Sequence, residues 1–173
     1  MNLDEIKYNV NEIFYSIQGE GSRSGMPCVF VRMQGCLLRC TWCDTPYALD
    51  RKKTEKLMST NEILAEVEKH NCKFLMLTGG EPLEQKEINI LVEEALYRGY
   101  DVVIETNGQQ DIGKVAKAAV KIFDLKCPGS AMHKKNDYNN IAKLDEKDEV
   151  KFVIKDRADY DWAIGKCNEY DLF

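Results

Sequence analysis

The run Cys36-Leu37-Leu38-Arg39-Cys40-Thr41-Trp42-Cys43 constrains this chain more than any other stretch, because CxxxCxxC supplies three thiolates from one short loop. Three thiolates leave one iron of a [4Fe–4S] cube without a protein ligand. A cluster that only carries electrons is normally held by four cysteines, so an open iron points to a bound substrate or cofactor and to catalysis.

Two other readings compete for the same residues. A tetrahedral zinc site needs a fourth Cys or His, and His70 and His133 both lie at the wrong spacing for a finger. A redox CxxC pair made of Cys40 and Cys43 leaves Cys36 unexplained and calls for a thioredoxin-like βαβ context that the neighbouring sequence lacks. Seven cysteines with three in one such run suit a reducing compartment better than a disulfide framework. Cys28, Cys72 and Cys167 read as small buried hydrophobes, and Cys127 is left open.

The 173 residues, 44% hydrophobic and 31% charged, are expected to form one domain over 1–173 with a core of its own. A net charge of −5 without a basic tract argues against direct nucleic-acid binding and favours a small molecule. No segment reaches the roughly 18 apolar residues of a membrane span, and Met1 to Asn9 is too polar for a signal peptide. A cytoplasmic location and no membrane partner are therefore expected.

Short apolar runs alternate with helix-like stretches, the signature of βα units and a parallel sheet. Strands are expected at Cys28–Met33, Phe74–Thr78, Val102–Glu105, Ile122–Leu125 and Val150–Ile154. Ser59-Thr60-Asn61-Glu62 reads as a capping box leading into Ile63, Leu64 and Val67, and the stripe Ile88, Leu91, Val92, Ala95, Leu96 is closed by Gly99. Asp111–Val120 and Asp156–Cys167 are also read as helical, and the polar Asn136–Lys147 as a loop or irregular helix. Thr78-Gly79-Gly80-Glu81-Pro82, Glu105-Thr106-Asn107-Gly108 and Asp124-Leu125-Lys126 fall at the ends of expected strands. In parallel α/β architectures ligands bind at that edge. Gly79-Gly80 adds backbone without Cβ, able to approach a ligand closely or to serve as no more than a tight turn.

With the cysteine triplet, Trp42 before its last member and Gly79-Gly80-Glu81 after the next strand, the chain resembles the radical S-adenosylmethionine enzymes. That resemblance implies that S-adenosylmethionine chelates the open iron and is cleaved to a 5′-deoxyadenosyl radical, which needs an enclosed cavity. Phe14-Tyr15-Ser16-Ile17-Gln18-Gly19-Glu20-Gly21 adds a carboxamide and a carboxylate suited to the edge of a pterin or purine, and Arg32 suits a carboxylate; a solvated turn and a surface charge are the plain alternatives. Together with Cys43-Asp44-Thr45, this segment is similar to the 7-carboxy-7-deazaguanine synthase family, with the likeness running from about Asn11 to Ile154.

The resemblance implies an α/β fold, an incomplete (β/α) TIM-like barrel of five to six parallel strands. It implies ring contraction of 6-carboxy-5,6,7,8-tetrahydropterin to 7-carboxy-7-deazaguanine with loss of ammonia, Mg²⁺ as a further cofactor, an external flavodoxin- or ferredoxin-like electron donor, and a homodimer. By the same likeness Cys36, Cys40 and Cys43 ligate the cluster. Trp42, Cys43, Asp44, Gly80, Asp124, Leu125 and Lys126 line the S-adenosylmethionine site. Ile17, Gln18, Gly19, Glu20, Arg32, Thr78 and Glu105 contact the substrate, and Thr45 binds Mg²⁺. One hydroxyl is a poor site for a hard octahedral dication, so substrate oxygens and water are expected to complete it.

Two departures from the family pattern stand out. Members usually continue beyond Asp171-Leu172-Phe173, so the last barrel strand and the C-terminal segment that closes the site are expected to be missing. Asp124-Leu125-Lys126-Cys127-Pro128 stands where many members carry a Ser-Pro-Lys-like run. The rival readings are the activase of a glycyl-radical enzyme, against which Gln18, Glu20 and Arg32 argue, and an iron–sulfur electron carrier, against which the open iron argues.

Overall fold

The computed structural model describes residues 2–172, which build a seven-stranded sheet with helices packed on it. The strands are β1 (Lys7–Ile17), β2 (Pro27–Met33), β3 (Lys56–Ser59), β4 (Phe74–Gly79), β5 (Asp101–Thr106), β6 (Val120–Asp124) and β7 (Glu149–Lys151). Their order is β3-β1-β2-β4-β5-β6-β7, and β2, β4, β5, β6 and β7 run parallel. The expected five parallel strands are present, and the sheet is open: β3 and β7 are its two edges, so no barrel closes among the described residues. At β7 the ladder covers only Glu149–Lys151, so Phe152 to Ile154 of the expected strand lie outside it.

Two strands were not expected. β1 pairs antiparallel with both β2 and β3, and its alternation is interrupted at Asn11, where the register to β2 shifts by one residue. A break in period-two patterning hides a strand from a sequence reading. β3 has only four residues, too short for a periodicity signal.

Helix α1 (Thr60–Glu68) begins at the expected capping box: Ser59 Oγ accepts from Glu62 N–H at 3.2 Å, and the Glu62 carboxylate accepts from Ser59 N–H at 2.6 Å. Helix α2 (Ile88–Tyr97) buries Ile88, Leu91, Val92 and Ala95 and is followed by Gly99 at φ +76°. Helix α3 (Arg157–Tyr170) is capped by Asp156, whose carboxylate accepts from Asp159 N–H at 3.1 Å. Asp111–Val120 is not a helix; only a 3₁₀ turn forms at Ile112–Lys114. There Asp111 Oδ1 accepts from Gly113 N–H and Asn140 Oδ1 accepts from Ile112 N–H, and such local bonds draw the backbone away from a helical ladder. Tyr138–Lys143 is a 3₁₀ segment, matching the irregular helix expected of that polar stretch.

The two faces of the sheet divide the labour. On one face Val29, Val31, Met33, Leu75, Leu77, Val102 and Ile104 join α1 and α2 in the main core. On the other, a smaller apolar cluster of Cys28, Phe74, Met76, Val103, Val120 and Ile122 fills the space near the strand starts. Further along those same strands the residues of this face become Phe30, Arg32, Thr78, Glu105 and Asp124, and the packing gives way to a cavity. One face is thus sealed at its base and polar at the carboxyl ends of the strands, the edge where parallel sheets place ligands.

Candidate functional site

The cavity encloses about 530 Å³, within the range of small-molecule sites. It is lined by Cys36, Cys40 and Cys43 and by Gln18, Gly19, Glu20, Arg32, Trp42, Asp44, Thr45, Thr78, Gly80, Glu105, Asp124 and Lys126, so segments scattered through the sequence converge. Two expected site residues stay outside it. The Ile17 side chain is 65% exposed at the end of β1, and the Leu125 side chain is fully buried away from the cavity. Phe30, Leu38, Leu49, Lys151 and Val153 line the cavity without having been singled out in the sequence.

The cysteine loop follows β2 and is tied down at several points. Cys36 N–H donates to Leu49 O at 3.2 Å, Arg39 Nη1 donates to the carbonyls of Cys36 and Leu38 at 2.7 Å each, and Thr41 N–H donates to Ser130 O at 3.1 Å. Trp42 packs against Gly129, where a Cβ would stand 2.9 Å from the indole. All seven cysteines are free thiols. Cys28 and Cys127 are buried, with their thiols pushed up to about 12 chiefly by burial, whereas Cys72 and Cys167 are only partly covered.

Gly79 and Gly80 line the cavity and also make contacts within the chain that a side chain would block. Gly79 has φ +131°, and a Cβ there would press on the Met33 backbone. At Gly80 a Cβ would stand 2.5 Å from the Gly35 carbonyl carbon and 2.8 Å from Ala48 O. Gly80 N–H donates to Met33 O at 3.0 Å and Glu81 N–H to Gly35 O at 2.8 Å. The glycine pair therefore lets the end of β4 lie directly on the backbone that carries Cys36. Glu81, 1% exposed, accepts from Leu83 N–H at 2.9 Å, Thr106 Oγ1–H at 2.7 Å and Asn107 N–H at 2.7 Å, joining the ends of β4 and β5. Burial pushes its carboxyl up to about 7 against the pull of those donors. Asn107 in turn donates its side-chain amide toward Cys36 Sγ at 3.7 Å.

The charged walls are paired across the cavity. Lys151 Nζ donates to Glu105 at 2.7 Å and also to Glu20, linking β7, β5 and the turn after β1. Burial works to lower its pKa, but the carboxylates of Glu105 and Glu20 hold it above the ordinary lysine range. Lys126 Nζ pairs with Asp124 Oδ2 at 2.7 Å, while Asp124 Oδ1 is buried without a partner. Arg32 Nε donates to Glu12 Oε1 at 2.7 Å, and among the described residues its two terminal nitrogens make no hydrogen bond to protein.

The donor set fits a cluster. Cys36 is 5% exposed and its thiol is pushed up to about 11 mainly by burial, so the iron must supply the charge that draws off its proton. Cys36, Cys40 and Cys43 all line the one cavity, as a cube presenting a separate iron to each thiolate requires. The unpartnered Asp124 Oδ1 is a buried acceptor awaiting a donor, which the hydroxyl or ammonium groups of S-adenosylmethionine can provide.

Residues 30–126 match the Radical SAM superfamily. The chain is 44% identical to the 7-carboxy-7-deazaguanine synthase of Koribacter versatilis (strain Ellin345) over 156 residues, covering 89% of this chain and 68% of that protein. It is 36% identical to that of Leptospira interrogans (98% and 80%) and 37% identical to that of Aquifex aeolicus (95% and 72%), both also 7-carboxy-7-deazaguanine synthases. The fold is similar to the crystal structure of QueE from Escherichia coli, with a TM-score of 0.61 and 21% identity over 95% of this chain and 91% of that one.

Proposed function

The chain belongs to the 7-carboxy-7-deazaguanine synthase family of radical S-adenosylmethionine enzymes, and from that premise we propose how its cavity carries out the family's reaction. The activity is the conversion of 6-carboxy-5,6,7,8-tetrahydropterin to 7-carboxy-7-deazaguanine with loss of ammonia, within deazapurine biosynthesis. When bound, the [4Fe–4S] cluster and S-adenosylmethionine supply a carbon-centred radical that takes a hydrogen atom from the pterin.

The residues of the chain hold, orient and shield. Cys36, Cys40 and Cys43 hold the cluster, and Trp42, Asp44, Gly80, Asp124 and Lys126 form the wall against which S-adenosylmethionine lies. Arg32 forks the substrate carboxylate with its terminal nitrogens. Gln18, Gly19, Glu20, Thr78 and Glu105 face the pterin, with Glu20 and Glu105 held in place by the hydrogen bonds that both accept from Lys151 Nζ. Thr45, whose hydroxyl lies 3.8 Å from Cys43 Sγ, would offer one oxygen to Mg²⁺, with the substrate carboxylate and water as the further oxygen donors such a hard cation needs. Calorimetry is expected to show Mg²⁺ binding with substrate present and none without it.

The observation that carries this reading is one cavity in which three free cysteines, an unpaired buried carboxylate oxygen and an arginine with two free terminal nitrogens face one another. The reading extends to one radical S-adenosylmethionine domain over 1–173, an external flavodoxin- or ferredoxin-like donor, a cytoplasmic homodimer and no direct nucleic-acid partner. No helix of the described residues is long and apolar enough to cross a membrane. The test is mass spectrometry on anaerobically reconstituted protein given reductant, S-adenosylmethionine, Mg²⁺ and 6-carboxytetrahydropterin. Deazaguanine product over many turnovers is expected. Cleavage of S-adenosylmethionine with no such product overturns the substrate assignment.

A further inference from the structure

Val10 lies opposite Met33 and Glu12 opposite Arg32, so Asn11 is an extra residue on β1. A bulge of this kind reverses the side-chain parity of the strand beyond it. Before it, Tyr8 and Val10 point into the main core. Beyond it Ile13 packs there, while Glu12 and Phe14 turn to the cavity side, where Phe14 stacks on Phe30 at 4.9 Å. Unbroken alternation would have aimed the Glu12 carboxylate into the main core, at a high desolvation cost. The extra residue is itself held: Asn11 Nδ2 donates to Gln34 Oε1 at 2.7 Å, and Gln34 Nε2 donates to Asp50 O at 2.8 Å.

The consequence falls on Arg32. Glu12 Oε1 accepts from Arg32 Nε at 2.7 Å and from Tyr47 OH at 3.1 Å, and the guanidinium stands 5.5 Å over the Phe14 ring. Glu12 and Tyr47 lie outside the cavity wall that Arg32 lines. One edge and one face of the guanidinium are thereby fixed by groups outside the substrate space, and the edge bearing the two terminal nitrogens is left for a ligand.

We propose that the Asn11 bulge and Glu12 are a positioning device: Glu12, braced by Tyr47, holds Arg32 at Nε so that its terminal nitrogens meet the substrate carboxylate as a preset fork. The inference rests on the assignment of Arg32 to that carboxylate. An ordinary cross-strand ion pair would give some stability but no discrimination between ligands with and without a carboxylate.

The test compares, on anaerobically reconstituted protein with S-adenosylmethionine bound, the Kd values of 6-carboxytetrahydropterin and of tetrahydropterin lacking the carboxylate. Wild type prefers the carboxylated ligand, and Arg32→Gln abolishes the preference. Glu12→Gln weakens the carboxylated pterin about tenfold and the uncarboxylated one by no more than about twofold, the scale of one charge-assisted hydrogen bond. In the Arg32→Gln background Glu12→Gln adds nothing. Tyr47→Phe, on a half-exposed ring whose change leaves folding intact, gives the same selectivity of effect at about two- to threefold. Equal weakening of both ligands, or of neither, by Glu12→Gln and Tyr47→Phe overturns the positioning role. A wild type with no preference for the carboxylate overturns the assignment of Arg32 instead.

Discussion

Gly80→Ala tests whether the glycine pair after β4 exists to let that strand end touch the cluster loop. The added methyl would stand 2.5 Å from Gly35 C and 2.8 Å from Ala48 O, and nearer still to Gly35 O. All three are backbone atoms, so no side chain can rotate away. Restoring normal contact means moving the Gly35 backbone, and Cys36 with it, by about 1 Å, an overpacking cost of about 1–3 kcal/mol. That motion also strains the bonds Gly80 N–H to Met33 O and Glu81 N–H to Gly35 O, each contributing about 1 kcal/mol. The expected loss is therefore about 2–5 kcal/mol in urea unfolding, with lower iron incorporation and weaker S-adenosylmethionine binding. Because misplacement of about 1 Å can cost about 100-fold in rate, turnover should fall further than cluster content explains. Wild-type unfolding midpoint, iron content and S-adenosylmethionine affinity in Gly80→Ala would refute the reasoning.

Three further outcomes are expected. Lys121 and Asp148 form a buried pair at 2.8 Å, 3% and 0% exposed, and Asp148 also accepts from the N–H groups of Lys121 and Asp145; Asp148→Asn leaves a buried ammonium without its counterion and should cost about 3–5 kcal/mol in chemical denaturation, a cost that Lys121→Met in the same chain should partly relieve. Gly165 lies inside α3 with nothing within 4 Å of a built Cβ, so Gly165→Ala should stabilise by about 0.5–1 kcal/mol, read as a higher unfolding midpoint. Glu81, held at about 7 in the fold against 4.5 for a free carboxyl, keeps a proton that the unfolded chain gives up; the associated stability is full below about pH 4.5 and is lost as pH rises through about 7, by up to about 3 kcal/mol, and urea titrations from pH 4.5 to 8 should show that slope in wild type and its absence in Glu81→Gln.

Most of the cavity was legible because its residues fall on strand ends that apolar runs already mark. The buried parallel strand Phe74–Gly79 announces itself by the hydrophobic run Phe74–Leu77, and the polar Thr78 that ends the run faces the site; in Val120–Asp124, Lys121 breaks the run, and only Ile122-Phe123 before Asp124 carries the signal. Lys151 carried no such mark: its role comes from meeting Glu20 and Glu105, respectively 131 and 46 residues away in the chain. Glu81 read as part of a ligand-binding turn, yet its carboxylate is spent on Thr106 and the Asn107 backbone, because a buried carboxyl takes the nearest donors. Leu125 shared a segment with Asp124 and Lys126 but alternates to the opposite side of the chain and is buried.

The sequence by itself determined the three-thiolate loop, the family and the parallel core, since ligand spacing, Gly-Gly and hydrophobic runs are local properties that no packing needs to supply. Tertiary structure alone decided which side of β1 meets the cavity. One extra residue at Asn11 shifts the pairing by one position, and because side chains alternate with a period of two, that shift carries Glu12 from the core side to Arg32. Register is a relation between strands, and a single strand's sequence does not contain it.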